Sequence, residues 1–397
     1  MRKGIFREKQ KMLNFLIIIS VLSLALLTIS PAYCSDLNYS SSSQAGHVLK
    51  SIPASTMGEP GFSKLVLVSD ENQGPLQKVE QHVDLVYTFG GIGVAVLILL
   101  MYRRMASKEQ KLIENPPKEL YPRKIWKIAG LEEINQEKFE ITRTRLFIAI
   151  PAAFIALAEL LIFAGRIKFA IWIHIGILIA FSFSNIFVKD LKVYRIYQAL
   201  MLLPILRLVN LSMPVFFATT LYTFVFVYAP LLIPLVIIIT HQRYSFEQIG
   251  ITAKNLLGYT ILSIPLGFLL GLGEYLIIRP DHLIPDLSTI NLLKLTFIMV
   301  FFVGLTEELI FRSILQTRLS EALGVREALI ITGILFGLMH SGYGTSHEII
   351  YTGSVALFIG FAFYKTRSLP FVAILHGFIN VFLFGILPYY LKGWTGF

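Results

Sequence analysis

The chain has 397 residues, of which 55% are hydrophobic and only 15% are charged. Soluble globular domains carry about 25% charged residues, so this composition excludes an ordinary soluble protein and indicates a membrane protein. The formal net charge of +10 is explained by basic loops on the cytoplasmic side, where they are attracted to anionic lipid headgroups. No soluble basic module is recognisable, and we therefore expect no nucleic-acid partner.

Residues 1–34 have the parts of a secretory signal. Basic residues from Arg2 to Lys11 precede an apolar run over 13–29, and Cys34 follows shortly after. This order predicts a signal peptide, with an uncleaved signal anchor as the alternative. Because Cys34 is the single cysteine, neither an intrachain disulfide nor a zinc site built from cysteines is possible.

The next region predicts an exported segment, a first membrane span and a cytoplasmic linker. Residues 35–84 are polar and rich in Ser, Gly and Pro, which is typical of disorder. Residues 85–102 form an apolar run that Arg103 and Arg104 follow at once. Since positive charge stays cytoplasmic, this helix should run from outside to inside. The charged residues 103–145 then form the linker.

From residue 146 to 397 the chain consists mostly of apolar runs. A bilayer core of roughly 30 Å needs about 20 apolar residues per helix, and in lipid such runs should be helical. The fold class predicted is an all-α, polytopic helix bundle in the cell membrane, with about eight to ten transmembrane helices. The predicted spans are 85–102, 146–165, 169–188, 196–212, 214–240, 256–278, 290–316, 326–343, 347–364 and 369–391.

Ionisable side chains inside these spans are energetically costly and therefore point to function. Glu159, His174 and Glu274 each stand alone in an apolar run, and helix packing or a polar contact is their expected role. A dense group of polar residues lies in the last third of the chain: Glu307, Glu308, Arg312, His340, His376 and Asn380.

The spacing of Glu307, Glu308 and Arg312 along a helix predicts different roles for the two glutamates. Glu308 and Arg312 are four residues apart, so they share a helix face and can form an ion pair. The neighbouring Glu307 points about 100° away on a helix. We therefore expect Glu307 to be free of that pair and available as a general base.

The remaining residues also occur four apart. The ring of Phe336 can wall a pocket beside His340. His376 and Asn380 place an imidazole and a carboxamide on one helix face, and two such donors suit a developing oxyanion. The alternative is a non-catalytic membrane protein, a transporter or a partner-binding scaffold, whose polar cluster serves packing or ion passage.

Together these residues form three motifs in order: Glu-Glu-x-x-x-Arg at 307–312, Phe-x-x-x-His at 336–340 and His-x-x-x-Asn at 376–380. The trio resembles the CAAX prenyl endopeptidase type II and bacteriocin-processing family of intramembrane proteases, also called CPBP or Abi. The likeness covers roughly residues 215–392, which would form the protease core.

The resemblance implies an endopeptidase that hydrolyses a peptide bond of a membrane-associated peptide or protein. It implies that Glu307 and His340 position and activate the attacking water. It further implies that His376 and Asn380 stabilise the oxyanion.

The resemblance also implies supporting residues, and it leaves the cofactor open. Glu308 and Arg312 would support the site, with Phe336 beside them. The cofactor stays open between none, with the protein groups acting on water directly, and zinc. The zinc ligands would then be Glu307, His340 and His376.

Overall fold

The protein is a multi-pass membrane protein built from helices. The computed structural model describes residues 104, 108, 111–115, 136–216 and 220–392. Every regular element in this part of the chain is helical, and eight helices are long and apolar enough to cross a membrane. The predicted all-α membrane bundle is therefore confirmed. The predicted signal segment, exported segment and first span (1–102), and most of the linker, lie outside the described residues.

The described helices are labelled in chain order. They are α1 (Gln136–Phe163), α2 (Ile167–Phe187), α3 (Leu191–Leu200), α4 (Leu202–Phe216), α5 (Thr223–His241), α6 (Phe246–Ile249), α7 (Leu256–Ile278), α8 (Thr289–Leu323), α9 (Val325–Leu338), α10 (Ser346–Thr366) and α11 (Leu369–Leu391).

Several element boundaries differ from the prediction. The predicted span 214–240 is observed as Thr223–His241, and the predicted span 290–316 continues to Leu323. Helix α1 begins at Gln136, inside the segment predicted as a linker, because hydropathy marks the membrane crossing and a helix can continue beyond it. The predicted span 196–212 is divided between α3 and α4, which meet at Met201. Pro204 has no N–H to donate to the carbonyl of residue 200, which explains the break at that point.

Large apolar side chains lie exposed along the outer faces of the bundle. Trp172 is 71% exposed, Phe183 is 60% exposed and Ile350 is 68% exposed. In water such a surface would be costly, whereas lipid tails are as apolar as these side chains. The exposed faces therefore suit a protein whose outer surface contacts lipid.

The central helix α11 packs closely against α7. A Cβ atom added at Gly267 would lie 2.7 Å from the Cβ of Phe378, and one at Gly271 would lie 2.8 Å from the carbonyl oxygen of Ile379. Small residues let helix backbones approach in a membrane. Gly267 and Gly271 are four residues apart, so they lie on one face of α7, and this spacing favours the close contact that the structure shows.

Helix α8 carries two π-helical stretches, at Ile298–Gly304 and Leu309–Gln316. Between them lies one α-helical turn, Leu305–Glu308, which holds the two adjacent glutamates. Glu307 is 8% exposed and Glu308 is 0% exposed, so both side chains are buried. π-Helical turns are rare in proteins, and those that occur are often found at functional sites. Here they flank the turn that carries Glu307, the predicted general base.

Candidate active site

Helices α8 and α11 are brought together by two glycines. A Cβ atom at Gly304 would lie 2.5 Å from the carbonyl oxygen of Ala373, and one at Gly377 would lie 2.4 Å from Cγ2 of Val300. Gly304 precedes the two glutamates by about one helical turn, and Gly377 follows His376 directly. This close approach places the glutamates of α8 beside the imidazole of α11.

The predicted ion pair between Glu308 and Arg312 is present. The Nε atom of Arg312 lies 3.0 Å from Oε2 of Glu308, and both side chains are fully buried. The other carboxylate oxygen, Oε1, lies 2.8 Å from Nδ1 of His376. Glu308 thus joins a cation on its own helix to an imidazole on α11, and one ring nitrogen of His376 is engaged.

Glu307 has a partner that the sequence analysis missed. The hydroxyl group of Tyr228, on α5, donates a hydrogen bond to Oε1 of Glu307. The second oxygen, Oε2, lies 3.8 Å from Nε2 of His376. That separation exceeds a direct hydrogen bond, so both atoms remain available to a third group. Buried tyrosine hydroxyls usually find a partner, and a tyrosine inside a predicted span was the signal that could have found Tyr228.

His340 lies just beyond the end of α9. Its Nδ1 atom is 3.0 Å from the carbonyl oxygen of Phe336. Because a carbonyl oxygen only accepts hydrogen bonds, Nδ1 carries the proton in this contact and Nε2 of the neutral ring is an acceptor. Glu307 and His376 lie near enough to His340 for their charges to interact with it.

Phe336 is the common neighbour of the site residues. Its ring centroid lies 5.0 Å from the ring of His340 and 5.9 Å from the ring of His376. The guanidinium carbon of Arg312 lies 5.1 Å from the same centroid. The phenyl ring therefore separates the charged pair from His340 with apolar surface and with a face that attracts cations.

Asn380 follows His376 by one turn of regular α-helix, so the two side chains share a face of α11. They are 8% and 7% exposed respectively. The structure thus brings Glu307, His340 and His376 together, with Tyr228 as the additional residue, and Asn380 lies one turn beyond His376 on the same face of α11.

The zinc alternative is not favoured by the arrangement of these donors. Within the part of the chain that the structure describes, no group of three or more His, Cys, Asp or Glu side chains is placed to hold a metal ion. The residues present therefore do not fit the predicted zinc set.

The three ionisable residues that stand alone in the sequence have polar neighbours in the fold. Glu159 is paired with Arg207 and lies beside His174. Glu274 faces Glu348 across α7 and α10. The expected polar contact is therefore present for Glu159 and His174, and it is made between helices.

Comparison with known protein families agrees with the three motifs. Residues 289–382 match the model of a family described as type II CAAX prenyl endopeptidase Rce1-like. This stretch contains all three motifs and confirms the resemblance, over a shorter range than the 215–392 predicted. No curated protein and no solved structure matches the chain. The match supports, at the level of the family, a CAAX-type intramembrane protease.

Proposed function

We propose that the chain is an intramembrane endopeptidase in which Glu307 activates a water molecule against a peptide bond. The observation that carries this proposal is the division of roles between the two adjacent glutamates. Glu308 is occupied by Arg312 and His376. Glu307 is held by Tyr228 through one oxygen only, so its second oxygen can take a proton from water.

The chemistry assigns a separate task to each group. Water bound between Oε2 of Glu307 and Nε2 of His340 gives a proton to the carboxylate, while its oxygen bonds to the carbonyl carbon of the substrate. The same proton then passes to the amide nitrogen as the carbon–nitrogen bond breaks. The fixed ring of His340 orients the water and excludes unproductive positions.

The tetrahedral intermediate needs donors for its oxyanion. His376 and Asn380 share a face of α11 and supply them from Nε2 and from the side-chain amide. Glu308 lies 2.8 Å from Nδ1 of His376. Its negative charge offsets the positive charge that the ring carries when both nitrogens donate. Arg312 keeps Glu308 in place for this task.

The substrate class follows from the location of the site. All four proposed catalytic residues lie within segments that are long and apolar enough to cross the membrane. A membrane-associated peptide or protein can reach such a site from the bilayer, and we propose this class as the substrate and the cell membrane as the location. No step of the proposed reaction passes through a metal ion, and metal analysis of the purified protein checks this point.

The experiment that tests the function is terminal-peptide mass spectrometry on membranes. Cells carrying the active chain should show new protein termini that are absent with Glu307→Gln. The matched control is Glu321→Gln on the same helix, whose partner is Arg318, about 21 Å along the helix axis from Glu307. A transporter or scaffold would give identical termini in all three samples, which would refute the proposal.

A further inference from the structure

A second buried polar cluster lies outside the three motifs. Arg207 of α4 donates from Nε to Oε1 of Glu159 at 2.9 Å and from Nη2 to Oε2 at 2.6 Å. Glu159, on α1, is 0% exposed and Arg207 is 5% exposed. His174 of α2 adds a third side chain, with Nε2 3.3 Å from Oε1 of Glu159. All three residues precede the stretch that matches the family model.

This cluster contacts both chain neighbours of His340. Nη2 of Arg207 also donates to the carbonyl oxygen of Met339. The hydroxyl group of Ser341 donates to Oε2 of Glu159 at 2.9 Å. The backbone is therefore fixed immediately before and immediately after His340 by one ion pair.

The end of a helix explains why a charged group is needed there. Helix α9 ends at Leu338, and the last carbonyls of a helix have no partner within it. At membrane depth an unsatisfied backbone group costs several kcal/mol. Arg207 satisfies the carbonyl of Met339 and, as a cation, suits the negative end of the helix dipole.

Stability alone is a weak reason for such a pair. The free-energy cost of taking two charges out of water offsets most of their attraction. A protein with apolar residues of similar volume in their place is often equally stable. What the pair provides beyond stability is a defined geometry. Nδ1 of His340 reaches the carbonyl of Phe336 only while the turn after α9 keeps its present course.

We propose that Glu159 and Arg207 are positioning residues for His340. They hold the turn from Met339 to Ser341 so that Nε2 of His340 faces Glu307. The catalytic consequence rests on the proposed function, whereas the orientation of the ring can be measured without any proteolysis.

The kinetic test uses Arg207→Lys and Ser341→Ala in the purified full chain. Lysine keeps the charge but lacks the fork that joins Glu159 to Met339. A misplaced catalytic group costs about 100-fold in rate, so kcat per folded molecule should fall to that extent in Arg207→Lys. It should fall less in Ser341→Ala, and KM should change little in either variant.

A matched control separates positioning from general damage. Arg143 is another buried arginine, and its Nη2 lies 3.5 Å from Oδ2 of Asp190. It precedes Glu159 by about 24 Å along α1. Arg143→Lys should leave kcat per folded molecule at the wild-type value, even where it lowers the yield of folded protein.

The second measurement determines which nitrogen of the His340 ring carries the proton. The ¹⁵N signals of His340, assigned by their loss in His340→Gln, should show a proton fixed on Nδ1 in the wild type and in Arg143→Lys. In Arg207→Lys and Ser341→Ala they should move towards a mixture of tautomers. Wild-type signals and wild-type kcat in both variants would overturn the positioning role. If Arg207→Lys does not fold, Ser341→Ala alone decides. If the wild type cleaves nothing, the proposed function fails and the ¹⁵N signals still decide the positioning role.

Discussion

His376 bridges two adjacent glutamates on the facing helix. Its Nδ1 atom lies 2.8 Å from Oε1 of Glu308, and its Nε2 atom lies 3.8 Å from Oε2 of Glu307. One contact has hydrogen-bond length and the other does not, so the ring is fixed by Glu308 and directed at Glu307. In the proposed mechanism this asymmetry gives the neighbouring carboxylates different tasks, one structural and one chemical.

The hydroxyl of Tyr228 is expected to matter for the rate. It donates to Oε1 of Glu307, and a hydrogen bond to a charged group contributes about 1.5–3 kcal/mol. Tyr228→Phe should therefore lower kcat by roughly 10- to 100-fold with little change in KM. The control is Tyr197→Phe, which removes a hydroxyl bonded to the carbonyl of Phe147. Equal kcat values for the two variants would show that Tyr228 does not act on Glu307.

The pair of Glu308 and Arg312 should be coupled energetically. Removing one partner of a buried ion pair costs on the order of 3–5 kcal/mol, because the other charge is left uncompensated. Arg312→Ala and Glu308→Ala should each lower thermal stability, and the double variant should lose less than the sum of the two. A thermodynamic cycle with no coupling energy would contradict the pair.

Close packing at Gly304 is a separate requirement. An added methyl group would overlap the carbonyl oxygen of Ala373, and overpacking costs about 1–3 kcal/mol. Gly304→Ala should lower the melting temperature and the activity by separating α8 from α11. Gly176→Ala is the control, because no atom lies within 4 Å of the added Cβ there. An unchanged melting temperature in Gly304→Ala would show that the helices can separate without loss.

Much of the fold follows from the sequence because hydropathy and helix periodicity are local properties. The apolar runs predict the spans, and the spacing of Gly267 and Gly271 predicts a close helix contact. The pairing of Glu308 with Arg312 is equally local, since one helical turn joins them. These features need no knowledge of how the helices are arranged.

What the sequence could not supply are the contacts between distant segments. Tyr228 precedes Glu307 by 79 residues, and Glu159 precedes Ser341 by 182 residues. No spacing rule relates such residues. The π-helical stretches of α8 were also not predicted, because their apolar sequence resembles that of any membrane helix.

The oxyanion role of Asn380 predicts a characteristic kinetic defect. Losing one oxyanion donor typically costs about 100- to 1000-fold in rate. Asn380→Ala should lower kcat to this extent and change KM little, because the interaction strengthens only in the transition state. Asn380→Asp should be slower still, since a carboxylate repels the developing charge. Steady-state kinetics on the purified variants provide the measurement, and an unchanged kcat in Asn380→Ala would exclude the role.

The most direct test of the central claim is the cleavage rate of purified Glu307→Gln in liposomes, measured on a substrate identified by its new terminus. Glutamine keeps the shape and the contact with Tyr228 but cannot take a proton from water. General-base catalysis contributes about 10²- to 10⁴-fold, so the account predicts a loss of at least this size with normal folding, while Glu321→Gln cleaves at the wild-type rate. Cleavage by Glu307→Gln within a few-fold of the wild-type rate would contradict the account.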